Sequence, residues 1–372
     1  MKAPTDRGRQ RDNHLTRERR TELDNRAAFV LDNRQMKLGA FEPSTCSDDD
    51  VVLRVVYCGV CGSDVHFYEH GEPEFPDVYP FVPGHECAGE VVEVGRNVTT
   101  LKVGDRVAVE PGITCGKCEW CRSGKYNLCP RVRFLSAPTY HGALRNYLAH
   151  PAELCYKLPD SMSTLEGALI EPLSVALNAA TQSGITIGRQ AVILGSGCIG
   201  LVTLLALNAM GVADVTVVDQ FDIRLDKARQ LGAGHTVNAS STDAVSAVLD
   251  ITAGKGADFV FEAAGNQKTA AQTLLMAKRG GTIVVIGNIV GQTPFNFQMF
   301  VNKELSLRSS FRYRNVFPAA IDAVETGKVD ISRIVSKVYD FEQSQLAFEE
   351  SISNKEAMVK AVVQVGSDPV RG

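Results

Sequence analysis

The sequence lacks the features that mark membrane proteins, secreted proteins and nucleic-acid-binding proteins. No apolar run approaches the roughly 20 residues that a membrane-spanning helix needs. No apolar segment typical of a secretory signal is found near the first residue. The formal net charge is −4, so there is no basic surplus to neutralise the phosphates of nucleic acid. We therefore expect a soluble, cytoplasmic protein that binds neither membranes nor nucleic acid.

Apolar residues are also scarce in the first 26 positions, where arginines alternate with acidic residues. Such a segment cannot bury enough surface to offset the entropy that it would lose on ordering. We interpret residues 1–26 as a disordered tail. An organellar targeting peptide is the alternative that the arginines suggest, although such peptides contain few acidic residues and this segment contains several.

Cysteine, by contrast, is plentiful, with ten residues. Without a secretory signal, closely spaced cysteines indicate metal binding and not disulfides. The pattern C-x2-C-x2-C-x7-C lets four thiolates surround one ion and leaves no open position, which predicts a structural zinc site. Its ligands are Cys115, Cys118, Cys121 and Cys129. The cysteines interpreted as packing residues are Cys46, Cys58, Cys87, Cys155 and Cys198.

A second metal site is predicted between residues 61 and 86. Zinc in catalytic sites takes about three protein ligands from Cys, His and Asp or Glu and leaves one position open. Cys61, His85 and Glu86 offer such a set. His85 follows a turn glycine and opens a strand-like run. A structural histidine bonded to the backbone is the alternative interpretation of His85.

Glu171 is a third candidate at this site. Ser163 and Glu166 form an S-x-x-E capping box that predicts a helix through GALIEPLSVALNAATQ. Glu171 lies in the apolar middle of that helix, just before Pro172, which should disturb it. A carboxylate in such a place needs either a metal or an ion-pair partner, and the residues alone leave both open.

Residues 190–310 alternate strands and helices, which predicts a parallel sheet covered on both faces. The first of these strands runs straight into the G-x-G-x-x-G motif GSGCIG and then a helix. Such glycines allow a tight turn and close approach to a pyrophosphate, which the helix N-terminus attracts. The predicted cofactor-binding residues of the motif are Gly195, Gly197, Ile199 and Gly200.

Asp219 ends the second strand of this region, 19 residues after Gly200. Its carboxylate can accept hydrogen bonds from the adenosine ribose and would repel a 2′-phosphate, so NAD is favoured over NADP. Arg224 follows and is a second candidate for cofactor contact that would soften this preference. An exposed arginine on a helix face is the alternative interpretation of Arg224.

The length of 372 residues suggests about two domains. Short strands broken by glycine and proline follow residue 27 and predict a compact β-rich domain without a long helix. After residue 310 helix and strand alternate again, and we expect this segment to return to the first domain. The expected division is a β-rich domain at 27–172 and 310–372, with a doubly wound α/β domain at 173–309.

Several stretches resemble the zinc-dependent polyol dehydrogenases, of the sorbitol and xylitol type, in the medium-chain dehydrogenase/reductase superfamily. The pattern G-H-E-x2-G-x5-G-x2-V is matched without a gap from Gly84 to Val98. Further matching stretches are CGSDVHFYEHG, YNLCPRVRFLSAP, ALIEPLSV and FRYRN. The resemblance runs from about Ala27 to Val365 and implies a GroES-like catalytic domain beside a Rossmann cofactor domain.

The resemblance also implies roles for individual residues. Cys61, His85 and Glu86 match the catalytic zinc ligands, with Glu171 bound directly or through water, and the four-cysteine group matches a structural zinc. Ser63 and His66 match a proton relay towards solvent, although His66 is otherwise an ordinary surface histidine. Phe134, Arg312 and Tyr313 resemble positions that hold the hydroxyls of a polyol.

The function implied is oxidation of a secondary alcohol of a sugar alcohol, such as sorbitol, xylitol, galactitol or arabitol, to the ketose, with hydride transfer to NAD. Zinc would make the bound hydroxyl acidic. The alternatives are a butanediol or threonine dehydrogenase and, from another class, a non-catalytic protein that binds NADH or zinc on the same fold. A homo-oligomer, either a tetramer or a dimer, and two zinc ions per chain are family expectations.

Overall fold

The structure is a computed structural model that describes residues 25–31, 34–71, 78–137 and 140–368. Most of the predicted tail therefore lies outside the described residues. The exceptions are Asn25, which is buried, and Arg26, which begins the first strand. The Asn25 side chain accepts a hydrogen bond from the Tyr147 amide at 3.0 Å. Asn25 and Arg26 therefore belong to the folded part of the chain that the structure describes.

Two short antiparallel pairs flank the larger sheets. Strand β1 (Arg26–Val30) pairs with β2 (Met36–Ala40), and β6 (Gly112–Ile113) pairs with β7 (Arg133–Phe134). The β6–β7 pair places Phe134 opposite Gly112. This register brings one predicted substrate residue to the edge of the segment that holds the four cysteines.

A mixed seven-stranded sheet carries two of the predicted metal ligands. Glu86 is the first residue of one of its strands, and His85 directly precedes that strand. Its strands are β3 (Asp50–Gly59), β4 (Glu86–Val94), β5 (Arg106–Val109), β8 (Tyr147–Pro151), β9 (Cys155–Lys157), β16 (Lys337–Asp340) and β17 (Ala361–Gln364). The order is β16-β17-β3-β4-β5-β9, and β8 also pairs with β3. Strands β16 and β17 thus extend the sheet that the early strands begin. This arrangement supports the prediction of a discontinuous β-rich domain.

A second sheet of six strands is parallel throughout. Its strands are β10 (Gln190–Leu194), β11 (Asp214–Asp219), β12 (His235–Asn238), β13 (Ala257–Glu262), β14 (Ala277–Val285) and β15 (Ser306–Ser309), in the order β12-β11-β10-β13-β14-β15. Along β10, Ala191 and Ile193 pack into one apolar cluster, and Val192 and Leu194 pack into another. Both faces are covered, which confirms the predicted doubly wound sheet.

Helices connect and cover these sheets. They are α1 (Gly62–His70), α2 (Glu119–Arg122), α3 (Thr164–Ala168), α4 (Ile170–Ser183), α5 (Cys198–Ala209), α6 (Asp222–Gln230), α7 (Ala244–Ile251), α8 (Gln267–Met276), α9 (Phe297–Asn302), α10 (Phe317–Glu325) and α11 (Ser344–Ser353). Single turns of 3-10 helix occur at Tyr126–Leu128, Ala152–Leu154, Ile331–Ile334 and Phe341–Gln343. Within the described ranges, none of the helices is long and apolar enough to cross a membrane.

The helix predicted through Glu171 is in fact two helices, separated at Leu169. The capping box forms as predicted, with the Ser163 hydroxyl accepting from the Glu166 amide at 3.1 Å. Helix α3 ends at Ala168 and α4 begins at Ile170, so Pro172 lies in the first turn of α4. A missing amide N–H in a first turn removes no helical hydrogen bond. Pro172 therefore does not disturb the helix, and Glu171 lies near a helix N-terminus and not in a helix middle.

The cysteines outside the two predicted metal groups differ in burial. Cys58, Cys87 and Cys155 are buried in the core of the mixed sheet, as expected of packing residues. Cys46 and Cys198 are only partly buried. Cys198 nevertheless packs against the large apolar core, as expected of a packing residue, whereas Cys46 belongs to none of the apolar clusters of the described residues.

Candidate functional site

The first predicted metal group forms where α1 meets the start of β4. Cys61 is the residue before α1, His85 lies in the turn before β4, and Glu86 is the first residue of that strand. Their ligand atoms all lie within 4.8 Å of one another. His85 and Glu86 are buried, whereas Cys61 is partly exposed. A thiolate, an imidazole and a carboxylate with one open side suit a zinc ion that keeps a position for another ligand.

Asp64 fixes the orientation of His85. Its Oδ1 atom lies 3.5 Å from Nδ1 of His85 and also accepts hydrogen bonds from the Gly84 amide and the Ser136 hydroxyl. A carboxylate on Nδ1 leaves Nε2 free for a metal. Burial works against the charged form of Asp64, but His85, Ser136 and Gly84 together lower the pKa of this carboxyl.

Sequence reasoning missed Asp64, although a signal was available. Asp64 stands three residues after Cys61 and accepts a hydrogen bond from the Cys61 amide at 3.2 Å, so the two form a capping box for α1. The pattern C-G-S-D has the spacing of such a box. Asp64 thus holds both Cys61 and His85 in place.

Lys360 is a second residue that sequence reasoning missed. Its Nζ atom donates to both carboxylate oxygens of Glu86, at 2.8 Å and 2.7 Å, and to the Val60 carbonyl at 3.0 Å. The side chains of Lys360 and Glu86 are 2% and 1% exposed. Burial acts to lower the pKa of Lys360, but the charges of Cys198, Glu86 and Cys61 raise it above its usual value. Each oxygen of Glu86 keeps a second lone pair that can face a metal.

Glu171 lies close to this group without belonging to the set of ligand atoms within 4.8 Å. Burial raises the pKa of Glu171 to about 7, while His85 opposes the rise and Glu86 adds to it. The Tyr313 hydroxyl lies near Glu171 and is buried without a hydrogen-bond partner among the described residues. Burial together with the charge of Glu171 raises the pKa of the Tyr313 phenol well above its usual range. A carboxyl with a pKa near neutrality is able both to take up and to release a proton at physiological pH.

The three predicted substrate residues form one wall beside the metal group. The Arg312 guanidinium carbon lies 3.8 Å from the centre of the Phe134 ring, and that ring lies 5.4 Å from the ring of His85. Burial lowers the pKa of the Arg312 guanidinium, and Tyr313 and Glu171 oppose this effect. Arg312 is partly buried and Tyr313 is buried. The structure therefore brings together residues that are far apart in the sequence.

Ser63 and His66 lie on α1 with exposed side chains. His66 borders an open cleft that is also lined by Cys61, Gly197 and Lys360. The His66 ring lies 4.9 Å from the ring of His70. The geometry brings His66 to the cleft beside the metal group, and Ser63 lies one turn before it on the same helix.

The glycine-rich turn between β10 and α5 has the close contacts that its motif predicts. Gly195 has a φ of +98°, a conformation that favours glycine. A Cβ atom on Gly200 would lie 1.8 Å from the Gly195 carbonyl oxygen, so a side chain cannot fit there. Gly197 and Ile199 both border the cleft that Cys61 and His66 also line. The backbone at this turn is accessible to a ligand from the side of the metal group.

Asp219 lies at the end of β11, across from this turn. Its Oδ2 accepts from the Ser196 amide at 2.7 Å, and its Oδ1 accepts from the Gln220 and Phe221 amides at 2.8 Å and 3.1 Å. These bonds hold the carboxylate at the wall of a second cavity, which Gly195 and Gly197 also line.

Arg224 borders both cavities and joins them. Its Nη2 atom donates to the Met358 carbonyl at 3.2 Å, and burial lowers the pKa of its guanidinium while Asp219 opposes this. Arg224 is therefore not an exposed surface arginine. A dinucleotide bound along the glycine-rich turn would extend from Asp219 past Arg224 to the metal group.

The second predicted metal group is also assembled. The sulfur atoms of its four cysteines all lie within 4.8 Å of one another. Four sulfurs at the usual zinc–sulfur distance of about 2.3 Å form a tetrahedron with edges of about 3.8 Å. The Cys118–Cys121 and Cys115–Cys121 sulfur distances are 3.4 Å and 3.9 Å. The side chains present fit a closed tetrahedral metal site.

Comparison with known protein families gives two matches. Residues 47–160 match the alcohol dehydrogenase GroES-like domain, and residues 198–326 match the zinc-binding dehydrogenase domain. The first match contains both predicted metal groups. The second begins inside the glycine-rich motif and contains Asp219.

Individual relatives span nearly the whole chain. The chain is 42% identical to the uncharacterised zinc-type alcohol dehydrogenase-like protein YdjJ of Escherichia coli, over 92% of this chain and 99% of that protein. It is 37% identical to sorbitol dehydrogenase of Bacillus subtilis, over 91% of this chain and 96% of that protein.

Solved structures give the same picture. A crystal structure of an Escherichia coli dehydrogenase of unknown specificity superposes with a TM-score of 0.89 at 41% identity, covering 91% of this chain and 99% of that chain. The same coverage is found for a Sinorhizobium meliloti zinc-binding dehydrogenase bound to NADP, at 30% identity and a TM-score of 0.85. It is also found for 2R,3R-butanediol dehydrogenase of Bacillus subtilis, at 32% identity and a TM-score of 0.84.

Proposed function

Because the chain belongs to the zinc-dependent alcohol dehydrogenases, with a GroES-like and a zinc-binding dehydrogenase domain, we propose that it oxidises a secondary alcohol of a sugar alcohol to the ketose. The hydride acceptor is a nicotinamide dinucleotide. Sorbitol dehydrogenase is among the relatives that support a polyol as the substrate. The butanediol dehydrogenase neighbour makes a small diol the alternative substrate, and threonine is a further one.

The observation that carries the choice of a polyol is the wall formed by Phe134, Arg312 and Tyr313 beside the metal group. The Tyr313 hydroxyl and the Arg312 guanidinium supply several hydrogen-bond donors to a partly enclosed space. An apolar alcohol would leave these buried donors unpaired, which is costly, whereas the successive hydroxyls of a polyol pair with them. This selection favours a polyol over 2,3-butanediol.

We infer two zinc ions per chain, with different tasks. Cys61, His85 and Glu86 hold the catalytic ion, and Glu171 joins them directly or through water. The four cysteines hold a structural ion. At the catalytic site, bound zinc supplies the positive charge that makes a substrate hydroxyl acidic at neutral pH.

The side chains of the cleft then move the proton. Glu171 accepts it in a buried position close to the substrate. Ser63 and His66 form the second route, from the substrate towards solvent along α1. Their exposure supports a contact with water. Arg312 and Tyr313 orient the remaining hydroxyls so that the carbon that loses hydride faces the cofactor.

NAD is the proposed cofactor. Asp219 is held by three backbone amides at the wall of the cavity and accepts hydrogen bonds from the adenosine ribose. A 2′-phosphate would lie against this carboxylate and be repelled. Arg224 lies nearby, and Gly195, Gly197, Ile199 and Gly200 take the pyrophosphate.

Replacement of Asp219 with serine is expected to lower kcat/KM for NAD⁺ by about 100-fold, because two hydrogen bonds to a charged acceptor are lost. The kcat/KM for NADP⁺ should rise, since the repelling charge is gone and Arg224 remains. Initial rates with both cofactors measure the change. Asp226→Ser is the matched control, because Asp226 is an exposed residue of α6 that pairs with Arg229. An unchanged cofactor preference in Asp219→Ser would contradict the assignment.

A homo-oligomeric, cytoplasmic enzyme is the proposed form of the protein. Strand β15 is the edge of the parallel sheet, and all four of its residues are exposed. Leu307 of β15 is an apolar residue that is 50% exposed, and Phe297 and Val301 of α9 are 70% and 67% exposed. An open strand edge beside apolar side chains supports contact with a second copy. Light scattering that gave the mass of a single chain would contradict it, and cell fractionation tests the location.

The function is tested by following NAD⁺ reduction with sorbitol, xylitol, galactitol, L-arabitol, 2,3-butanediol and threonine, with and without a zinc chelator. We expect turnover with at least one of the polyols, a kcat/KM for 2,3-butanediol and threonine that is lower by at least about tenfold, and loss of activity on chelation. Efficient oxidation of 2,3-butanediol with none of the polyols would overturn the polyol assignment. Zinc-independent turnover would overturn the proposed chemistry.

A further inference from the structure

The segment 311–315, which carries Arg312 and Tyr313, is held in an unusual backbone conformation. Arg312 and Asn315 both have a φ of 54°, a left-handed conformation that non-glycine residues rarely adopt. Such a conformation persists only when its surroundings hold it. Contacts from outside the segment must therefore fix the orientation of the Arg312 and Tyr313 side chains.

The four-cysteine lobe, residues 115–129, supplies most of that support. The Asn127 Nδ2 atom donates to the Phe311 carbonyl at 2.8 Å, and the Asn127 Oδ1 atom accepts from Arg314 Nη1 at 3.3 Å. The Asn315 amide donates to the Tyr126 hydroxyl at 2.7 Å, and the Asn315 side chain donates to the Gly124 carbonyl at 3.1 Å. The lobe thus holds the segment on both sides of Arg312 and Tyr313.

Helix α4 also contacts the segment, and the Arg314 Nη2 atom donates to the Gln182 side-chain oxygen at 3.0 Å. The Asn178 Nδ2 atom donates to the Arg312 carbonyl at 3.2 Å and to the Ser310 hydroxyl at 2.9 Å. This anchor fixes the position of the segment on the parallel sheet, but it touches neither Phe311 nor Asn315 through these bonds. The lobe is needed to fix the two ends.

The lobe has no apolar core with which to hold its own shape. Within residues 115–129, only Asn127 and Cys129 are buried, and Trp120 and Leu128 are 37% and 39% exposed. A loop of this kind depends on its metal for folding. The same metal therefore keeps Tyr126 and Asn127 where segment 311–315 needs them.

We propose that Tyr126 and Asn127 are positioning residues for Arg312 and Tyr313, so that the metal-held four-cysteine lobe sets the affinity for polyhydroxylated substrates. The inference rests on the proposed function, because it assigns Arg312 and Tyr313 to the polyol hydroxyls. It gives the lobe a task beyond its own stability. The lobe acts through the backbone of segment 311–315 and touches neither the predicted metal ligands of the first group nor the glycine-rich turn by these bonds.

The Asn127→Ala variant of the zinc-loaded enzyme tests this proposal. We expect KM for the best polyol to rise about tenfold while kcat changes less than about twofold, because two buried hydrogen bonds that orient substrate groups are lost. KM for propan-2-ol, which has no hydroxyl besides the one that is oxidised, and the Kd of NAD⁺ should stay unchanged. An equal rise in KM for both alcohols, or no rise for either, would overturn the proposal.

Hydrogen exchange gives a readout that does not depend on substrate. Backbone amides of 311–316 should exchange faster in Asn127→Ala than in the parent protein, with unchanged exchange in β10 and α1. Tyr126→Phe removes a single hydroxyl and should expose the Asn315 amide even where Asn127→Ala proves too unstable to purify. Unchanged exchange of 311–316 in these variants would overturn the proposal even if the parent enzyme oxidises polyols. Faster exchange with no polyol turnover in the parent enzyme would instead locate the failure in the proposed function.

Asn208→Ala is the matched control. Asn208 also donates from its side-chain amide to two backbone carbonyls, those of Leu231 and Gly232. It lies on α5, however, and these two partners are in the loop after α6. Its replacement should leave KM for the polyol and exchange in 311–316 unchanged.

The link to the metal is tested with the chain's single tryptophan, Trp120, which lies in the lobe. Stepwise removal of zinc with a thiol-reactive reagent should shift Trp120 fluorescence and speed amide exchange in 311–316 at the same point of the titration. Zinc loss that shifts the fluorescence without changing exchange in 311–316 would overturn the role of the metal.

Discussion

The Cys61→Ala variant is expected to turn over alcohols at least about 1000-fold more slowly than the parent protein. The thiolate is one of three proposed ligands whose atoms lie within 4.8 Å of one another, and its loss should remove the ion from the first metal group. Bound zinc contributes several kcal/mol to such a reaction, and each tenfold change in rate corresponds to about 1.4 kcal/mol. Initial rates and metal analysis measure the effect, with zinc expected to fall from two ions to one per chain.

The Cys46→Ser variant is the matched control for Cys61→Ala. Cys46 is a partly buried thiol on the loop before β3, where its sulfur lies 3.4 Å from the Asp50 carbonyl. Its replacement should leave turnover and zinc content unchanged. The Kd of NAD⁺ should also stay the same in Cys61→Ala, because the substitution leaves Asp219 and the backbone amides of the glycine-rich turn unchanged. Full zinc content with full turnover in Cys61→Ala would show that the ion is held elsewhere.

The Lys360→Met variant is expected to lower the free energy of unfolding by about 3–5 kcal/mol, the usual cost of leaving a buried charge without its partner. Glu86 is 1% exposed, and Lys360 donates to both of its oxygens. Methionine has a similar length but offers no donor. Urea unfolding of the zinc-free protein measures the loss without a contribution from bound metal.

Two further variants distinguish this cause from a general effect of the substitution. Lys337→Met removes an exposed ion pair with Glu350, 2.9 Å long, and should cost less than about 1 kcal/mol. In the double variant Lys360→Met with Glu86→Gln, the unpaired charge is removed, and part of the lost stability should return. A double variant no more stable than Lys360→Met alone would mean that the lysine acts through packing and not through Glu86.

The parts of the site that the sequence predicts are those whose physics is local. The glycine-rich motif is a short run whose close contacts depend on neighbouring residues, as the 1.8 Å approach of a Cβ on Gly200 to the Gly195 oxygen illustrates. The four cysteines surround one point because their spacings are short. The capping box at Ser163 and Glu166 likewise needs only four consecutive residues.

The parts that the sequence does not predict depend on contacts between distant segments. Lys360 is 274 residues from Glu86, and its pairing follows only from the order of strands in the mixed sheet. Asn127 and segment 311–315 meet for a similar reason, 184 residues apart at the Phe311 contact. The break at Leu169 was missed because a continuous apolar pattern does not reveal where packing ends one helix and begins the next.

The pairing of β17 with β3 also determines when each sheet is complete during synthesis of the chain. All six strands of the parallel sheet are present once Ser309 has left the ribosome. The mixed sheet lacks β16 and β17 until residue 364 has been made. Strand β17 pairs with β3, and Lys360, which neutralises Glu86, directly precedes β17. The mixed sheet, whose first strands are translated early, is therefore completed after the parallel sheet, and the buried Glu86 carboxylate has no counter-charge until Lys360 has been made.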